Sequence, residues 1–251
     1  MTHPSCEQTR QLPDLSVVLP AYREAPNLAE LLPRLRQTLE SIPLRFEILV
    51  IDTESPLDQT EQVCLQYGAT YVQRSGGNDY GDAVRTGIRT AAGRFCLFMD
   101  ADGSHPPEFI QHLLSVAEQS DVVVASRYVS GGGTDNSFVS TLMSRILNVT
   151  FSIVLGLRCS DIPNSFKLYR TEILQSIPLQ CRNFDVIEEI LFRLQQQHPT
   201  LRIREVPFHF RKRAHGETKR RLLVFIMTFL GTMMRLRFSA GGDPRPGRAQ
   251  K

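Results

Sequence analysis

Five short, almost uninterrupted apolar runs recur along the first half of the chain: "LSVVLP" (15–20), "FEILVID" (46–52), "TYVQR" (70–74), "FCLFMD" (95–100) and "DVVVAS" (121–126). Runs of this length, rich in β-branched residues, read as strands covered on both faces. Helical patterns lie between them. "APNLAELLPRLRQTLESI" places Leu28, Leu31, Leu32, Leu35 and Leu39 on one stripe. "LDQTEQVCLQYG" closes on Gly68 and "YGDAVRTGIRTAAG" on Gly93, where helices commonly end. "PPEFIQHLLSVAEQS" opens on prolines suited to a first helical turn. This alternation predicts an α/β domain with a mostly parallel, doubly wound central sheet flanked by helices. Such sheets bind ligands at the carboxyl ends of their strands. That rule puts Tyr22, Asp52, Arg74, Asp100, Asp102 and Arg127 on one rim.

The second half is less regular. "GGGTDN" (131–136) reads as a flexible loop, 138–157 as an apolar helix, and "CSDIPNSFKLYR" (159–170) as a loop entering a short strand. Residues 184–197 read as a helix and 202–210 as a further strand. The expected organisation is a flexible tail over 1–14, a catalytic domain over 15–220, an apolar helix over 221–238 and a disordered tail over 239–251. A net charge of +3 gives no reason to expect nucleic acid. The cations are unevenly spread, however: between Arg202 and Arg237 they are opposed only by Glu205 and Glu217, so this part is expected to face something anionic. Cys6, Cys64, Cys96, Cys159 and Cys181 are scattered and show no metal-site spacing. They suit a reducing compartment. With no signal-peptide pattern over 1–14, the expectation is a cytoplasmic protein.

The chemistry concentrates in "FMDADGSHPPEF" (98–109). Residues two apart on a strand point the same way, so Asp100 and Asp102 can converge on one ion as the chain turns. Hard oxygen donors with open positions suit Mg²⁺ or Mn²⁺ shared with a diphosphate. Taken alone, two acids of this spacing are more often a solvated loop. Their place after a buried strand, on the binding rim, favours the metal seat. In "VLPAYREAPN" (18–27), Pro20 and Tyr22 could flank a base or ribose; an ordinary strand–helix loop is the bland alternative. Asp52 at the next strand end could accept hydrogen bonds from a nucleobase, while Asp58 reads as a helix N-terminal acid. His105 is expected to turn toward the metal loop or cap the following helix. Glu189 is expected to face the site and Glu188 solvent.

Seven stretches in order, "VVLPAYREAPNL", "ILVIDTESPLDQT", "GGNDYGDAVRTG", "RFCLFMDADGSHPPE", "VVVASRY", "LGLRCSDIPNSFKLYR" and "REVPFHFRKRAHGETK", resemble glycosyltransferase family 2 enzymes of the dolichyl- or polyprenyl-phosphate mannosyltransferase type. The resemblance covers about residues 15–220. It implies a GT-A fold, and inverting transfer of a sugar from a nucleotide diphosphate donor (GDP-mannose or a UDP-hexose) to a polyprenyl phosphate such as dolichyl or undecaprenyl phosphate. On this resemblance Asp100 and Asp102 hold the metal ion. Pro20, Tyr22, Glu24, Asp52 and Ala101 line the nucleotide-sugar pocket with them. Arg127, Ser144 and Arg145 lie near the acceptor phosphate, and Arg213 and Lys219 neutralise phosphates. Asp102 and Arg127 carry the catalytic roles. The chain departs from the family pattern at Asp52-Thr53, where two adjacent acids are common, at the longer turn "GGNDYGDA", at Ser140, where a base is expected, and at "SFK" (165–167), where "GFR" is usual. These departures touch the nucleotide and acceptor pockets and leave the sugar open.

A lipid acceptor requires contact with a membrane. "LLVFIMTFLGTMM" (222–234) would span ~20 Å as a helix, too short for a ~30 Å hydrocarbon core, but Arg220, Arg221, Arg235 and Arg237 bracket it as in an interfacial helix. Leu142, Ile146, Val149 and Ile153 form a second apolar stripe that could share this contact or pack in the core. The expected location is peripheral, on the cytoplasmic face of a membrane. Two other readings compete. Transfer to a saccharide or small-molecule hydroxyl would need a carboxylate base, for which Asp161 and Glu189 are the candidates. A non-catalytic nucleotide-sugar-binding or membrane-adaptor protein would not need the paired aspartates.

Overall fold

The computed structural model describes residues 12–210 and 231–238. In chain order the elements are β1 (Leu15–Pro20), α1 (Ala25–Glu40), β2 (Phe46–Asp52), α2 (Thr60–Tyr67), β3 (Thr70–Gln73), α3 (Tyr80–Thr90), β4 (Phe95–Phe98), α4 (Ile110–Leu114), β5 (Val122–Ser126), β6 (Gly133–Thr134), α5 (Phe138–Leu155), β7 (Lys167–Arg170), α6 (Thr171–Gln175), α7 (Val186–Gln197), β8 (Ile203–Pro207) and β9 (His209–Phe210). Seven strands form one sheet in the order β3-β2-β1-β4-β7-β5-β8. Alternate residues of β1 explain why its run is continuously apolar. Val17 and Leu19 pack into the core under α1, α2 and α4, whereas Val18 packs with α3, α5, α6 and α7. On the second face, Gly87 lets α3 approach closely: a Cβ there would lie 2.4 Å from Val18 Cγ1.

The expected alternation holds through β4, with β1, β2, β3 and β4 all parallel. It then departs from the simple scheme. β5 does not pair with β4. β7 lies between them and runs antiparallel to both, while β8 resumes the parallel direction beside β5. A central strand is buried on both faces whichever way it runs, so its residue pattern does not disclose direction.

Three other expectations are corrected. The helix expected over 106–120 is broken: only Ile110–Leu114 is α-helical, between 3₁₀ turns at Pro107–Phe109 and Ala117–Gln119. Ser115 Oγ donates to His112 O and Ser120 Oγ to Val116 O, each at 2.7 Å, so side chains compete for the carbonyls a continuing helix would use. The glycine-rich stretch 131–136 is not wholly loop, because Gly133–Thr134 pairs in parallel with His209–Phe210. The strand expected over 202–210 is accordingly divided between the main sheet and this small ribbon. Of the tail expected over 1–14, residues 1–11 lie outside the described residues; within 12–14, Asp14 is tied to Arg45 by a 3.1 Å ion pair and accepts its backbone N–H. The expected disordered tail over 239–251 lies outside the described residues.

Candidate active site

The carboxyl ends of β1, β2 and β3 form one half of the rim. Tyr22 is half exposed just beyond Pro20, available to lie against a planar group. Glu24 precedes α1 and accepts from Asn27 Nδ2 at 2.6 Å. Asp52, almost wholly buried, accepts from the Tyr71 hydroxyl at 3.2 Å. Burial, followed by the charge of Asp52, pushes the Tyr71 pKa up to about 12, so the phenol stays a donor. Asp58 acts as the expected N-terminal acid: its carboxylate accepts from Thr60 N at 3.1 Å and also from Ala25 N at 3.0 Å, bridging the starts of α2 and α1.

Arg74, expected on the rim, is instead a buried clamp. Its guanidinium donates to the carbonyls of Asp52, Asn78, Asp79 and Ala21, holding three strand ends and the glycine-rich turn together. Gly77 in that turn has φ +130°, and a Cβ there would meet Asp82 Oδ2 at 2.7 Å. The turn in turn binds the β2 end, with Gly77 N–H donating to Glu54 Oε1 and Glu54 N–H to Asn78 Oδ1, both at 2.9 Å.

The paired aspartates lie at the end of β4. The Asp100 side chain retains 29% exposure, and its Oδ1 accepts from Ser165 Oγ at 2.9 Å. Ala101 is buried between the two acids. Asp102 is also largely buried, with Oδ1 accepting from Ser104 N–H at 3.0 Å. His105 supports this loop from within, rather than capping the next helix. Its ring is buried and stacked on Phe166 at 4.6 Å, and Nδ1 accepts the Asp100 N–H at 2.9 Å. Burial lowers the His105 pKa, which agrees with a neutral ring whose Nδ1 is an acceptor. The buried Ser104 Oγ has no hydrogen-bond partner among the described residues. Two carboxylates and an orphaned hydroxyl in one tight loop fit a hard, oxygen-seeking divalent cation that fills its remaining positions from a ligand.

The other half of the rim gathers around a residue the sequence did not single out, Tyr128. Arg127 and Arg145 both place their guanidinium carbons near its ring, at 5.0 and 5.5 Å from the centroid, and its hydroxyl donates to Ser144 Oγ at 2.7 Å. Arg127, Ser144 and Arg145, assigned together by resemblance, are thus brought together in space. Arg127 grips Asp161 through Nε–Oδ2 at 2.8 Å and Nη2–Oδ1 at 2.7 Å, and donates its backbone N–H to the same carboxylate. Burial alone would lower the Arg127 pKa, but the hydrogen bonds and charge of Asp161 outweigh it and leave it raised. Nη1 makes no hydrogen bond among the described residues, so the fork keeps donors for a ligand. A cavity of about 500 Å³ begins at Tyr128 and Arg145 and runs along α5 past Val149 and Ile153.

Asp161, a candidate base, is fully buried and engaged by Arg127. Glu189, the other, accepts from the backbone N–H groups of Gln180 and Cys181 at 2.8 and 2.7 Å and braces a loop rather than facing the site. Glu188, expected to face solvent, is also buried. Hydrophobic spacing did not mark this, because α7 is packed on nearly every side. Arg213 and Lys219 lie outside the described residues, as does 222–230 of the apolar run. The helical end at 231–238 packs inward through Met233 and Leu236. There Thr232 Oγ1 donates to Asp185 at 2.6 Å, and Arg235 pairs with the same carboxylate at 3.4 Å.

Comparison with known proteins gives the rim a lineage. Residues 16–177 match the family model described as glycosyl transferase family 2. A dolichol-phosphate mannosyltransferase of Pyrococcus furiosus is 32% identical over 213 residues, 82% of this chain and 58% of that protein. An undecaprenyl-phosphate 4-deoxy-4-formamido-L-arabinose transferase of Pseudomonas savastanoi pv. phaseolicola is 30% identical over 210 residues, 82% of this chain and 60% of that one. The chain therefore spans less than two thirds of the length of these relatives. Glucosyl-3-phosphoglycerate synthase from Mycobacterium tuberculosis, in complex with Mn²⁺ and UDP-glucose, has a similar structure, with a TM-score of 0.69 and 21% identity over 95% of this chain and 83% of that one. At this identity the likeness is one of fold, the GT-A arrangement of a mostly parallel sheet between helices. The family match takes in both halves of the rim, from Pro20 through Asp100 and Arg127 to Ser165, and the chain belongs to glycosyl transferase family 2.

Proposed function

We propose that the protein transfers a sugar, with inversion, from a nucleotide diphosphate donor to a polyprenyl phosphate at a membrane surface. The observation that carries this reading is helix α5. It bears Ser144 and Arg145 at the Tyr128 cluster, and on the same helix Leu142, Ile146, Val149 and Ile153 stand 46–74% exposed. Its inner face is held by Asn148, Phe151 and Leu155. A helix that carries a guanidinium and a hydroxyl beside an apolar face open to the outside suits an anionic head on a lipid tail. α5 is long and apolar enough to cross a membrane, but its packed inner face favours lying in the interface. The relatives' acceptors, named as dolichol and undecaprenyl phosphates, support the same class. Transfer to a neutral hydroxyl is disfavoured, since Asp161 and Glu189 are committed to Arg127 and to backbone donors.

In this mechanism Tyr22 and Pro20 flank the nucleoside, and Asp52 accepts hydrogen bonds from its base. Asp100 and Asp102 hold Mg²⁺ or Mn²⁺, and that ion, when bound, offsets the charge gathering on the leaving diphosphate. Arg127, Ser144 and Arg145 hold the acceptor phosphate, which is ionised near neutral pH and needs no general base. Its oxygen forms a bond to the anomeric carbon as the bond from that carbon to the diphosphate oxygen breaks, the electron pair leaving with the diphosphate. Alignment of the two anions on one rim, away from water, is the protein's main contribution. Cys64, Cys96, Cys159 and Cys181 are buried free thiols, which supports a site on the cytoplasmic side of the membrane.

The direct test incubates the purified chain and Mg²⁺ or Mn²⁺ with labelled nucleotide sugars and a polyprenyl phosphate. Label in the lipid fraction is the expected result; label on hydroxyl acceptors alone would overturn the assignment. Membrane contact is checked separately by vesicle flotation. Each exposed isoleucine contributes up to ~1.5–3 kcal/mol when buried, so Ile146→Asp with Ile153→Asp lowers vesicle binding at least about tenfold. Unchanged flotation would remove α5 from the membrane contact.

A further inference from the structure

The reversed direction of β7 brings the chain to the rim at the start of that strand, where the parallel strands reach it at their ends. In the β4–β7 register, Phe98 pairs with Lys167. Two residues further, beyond the last pair, Asp100 stands across from Ser165, and the 2.9 Å hydrogen bond from Ser165 Oγ to Asp100 Oδ1 spans that gap. Ser165 is half buried, and its hydroxyl makes no other hydrogen bond among the described residues.

The loop that carries Ser165 is firmly held. Lys167, fully buried, donates through Nζ to the carbonyls of Ile162 and Asn164. Asn164 Nδ2 donates to Ala125 O at 2.5 Å, and Asn164 Oδ1 accepts from Phe166 N at 3.2 Å. Phe166 lies under the His105 ring, and Asp161 at the far end is locked to Arg127. The hydroxyl is therefore presented from a fixed backbone, not from a wandering loop.

We propose that Ser165 is a positioning residue for the metal seat: its hydrogen bond to Oδ1 fixes the rotation of the Asp100 carboxylate and directs Oδ2 to the divalent cation. Oδ2 lies 4.0 Å from the neutral His105 ring at Nε2, too far for a hydrogen bond to hold it, so without the Ser165 bond the carboxylate samples other rotations and the ion must order it on binding. Outer hydrogen bonds of this kind are worth about 10–100-fold in metal affinity. The inference rests on the metal reading of Asp100 and Asp102, and its test separates the two.

The test titrates the full chain with Mn²⁺ alone and follows the free ion by its paramagnetic resonance signal. Ser165→Ala is expected to weaken Mn²⁺ binding about tenfold with an unchanged melting temperature, and Ser165→Thr to restore most of it. In sugar-transfer assays the Ala variant needs more Mn²⁺ for half-maximal rate yet approaches the native kcat at saturation, a split that a loss of folding does not produce. Asp100→Ala serves as the control. If Asp100→Ala binds Mn²⁺ normally, the metal seat itself is misplaced. If Asp100→Ala loses the ion while Ser165→Ala keeps native affinity, the seat stands and the role of Ser165 is overturned.

Discussion

Replacing Asp102 by Ala lowers turnover by about 10³-fold or more while the fold survives. A divalent ion on a leaving diphosphate supplies several kcal/mol of transition-state stabilisation, and about 1.4 kcal/mol is a factor of ten in rate. Loss of ~4 kcal/mol therefore removes nearly all transfer. The structural cost is small by comparison. Asp102 Oδ1 accepts a backbone N–H from Ser104, and losing such a bond costs about 0.5–1.5 kcal/mol. Asp102→Asn refines the test, because an amide oxygen can still accept from Ser104 but carries no charge. It is expected to match the Ala variant in turnover and the native chain in thermal melting. Native turnover in either variant would refute the metal assignment.

The second large effect is in stability. Arg127→Met leaves the fully buried Asp161 carboxylate without its guanidinium, and breaking a buried pair from one side costs about 3–5 kcal/mol. Asp161→Asn strands the arginine in the same way, though its side chain is slightly less buried. Combining the two removes both charges, so the double variant is expected to regain a large part of the loss, as measured by urea unfolding. Its transfer activity is not expected to return, since the guanidinium that would contact the acceptor phosphate is gone. A double variant no more stable than the sum of the single losses would show that charge pairing is not what holds the 158–166 loop in place.

The legible and illegible parts of this chain differ for identifiable reasons. β1, β2, β4 and β5 could be read because burial leaves their runs without polar alternation, and the placement of Asp52, Asp100 and Asp102 at strand ends followed from those runs, whereas β3 is a half-exposed edge strand. β7 was seen as a strand, but its reversal was not, and with it went the pairing of Ser165 with Asp100. No local signal marks direction; it follows from which neighbours are still unpaired when the strand arrives. Tyr128 was passed over as a rim residue next to Arg127, although it joins Arg127, Arg145 and Ser144. The α5 stripe was visible as a period, but whether it faces the core was not. The opposite face, with Phe151 and Leu155 packed inward, decides that. Asp161 and Glu189 looked like spare carboxylates because their partners, a guanidinium 34 residues away and two backbone amides, are tertiary.

The insertion of β7 between β4 and β5 has a modular consequence. Take away residues 127–170 and what remains up to β5 is a plain run of parallel units that could close on itself. With them, the chain leaves β5, forms the outward-facing helix, and returns against the grain to touch Asp100 beyond the end of β4. Helix, arginine tether and serine hydroxyl therefore travel as one cassette between two neighbouring strands. Exchanging that cassette as a unit between related chains would carry over α5 with its support intact, whereas exchanging α5 alone would separate it from the loop that ties it to Arg127 and Asp100.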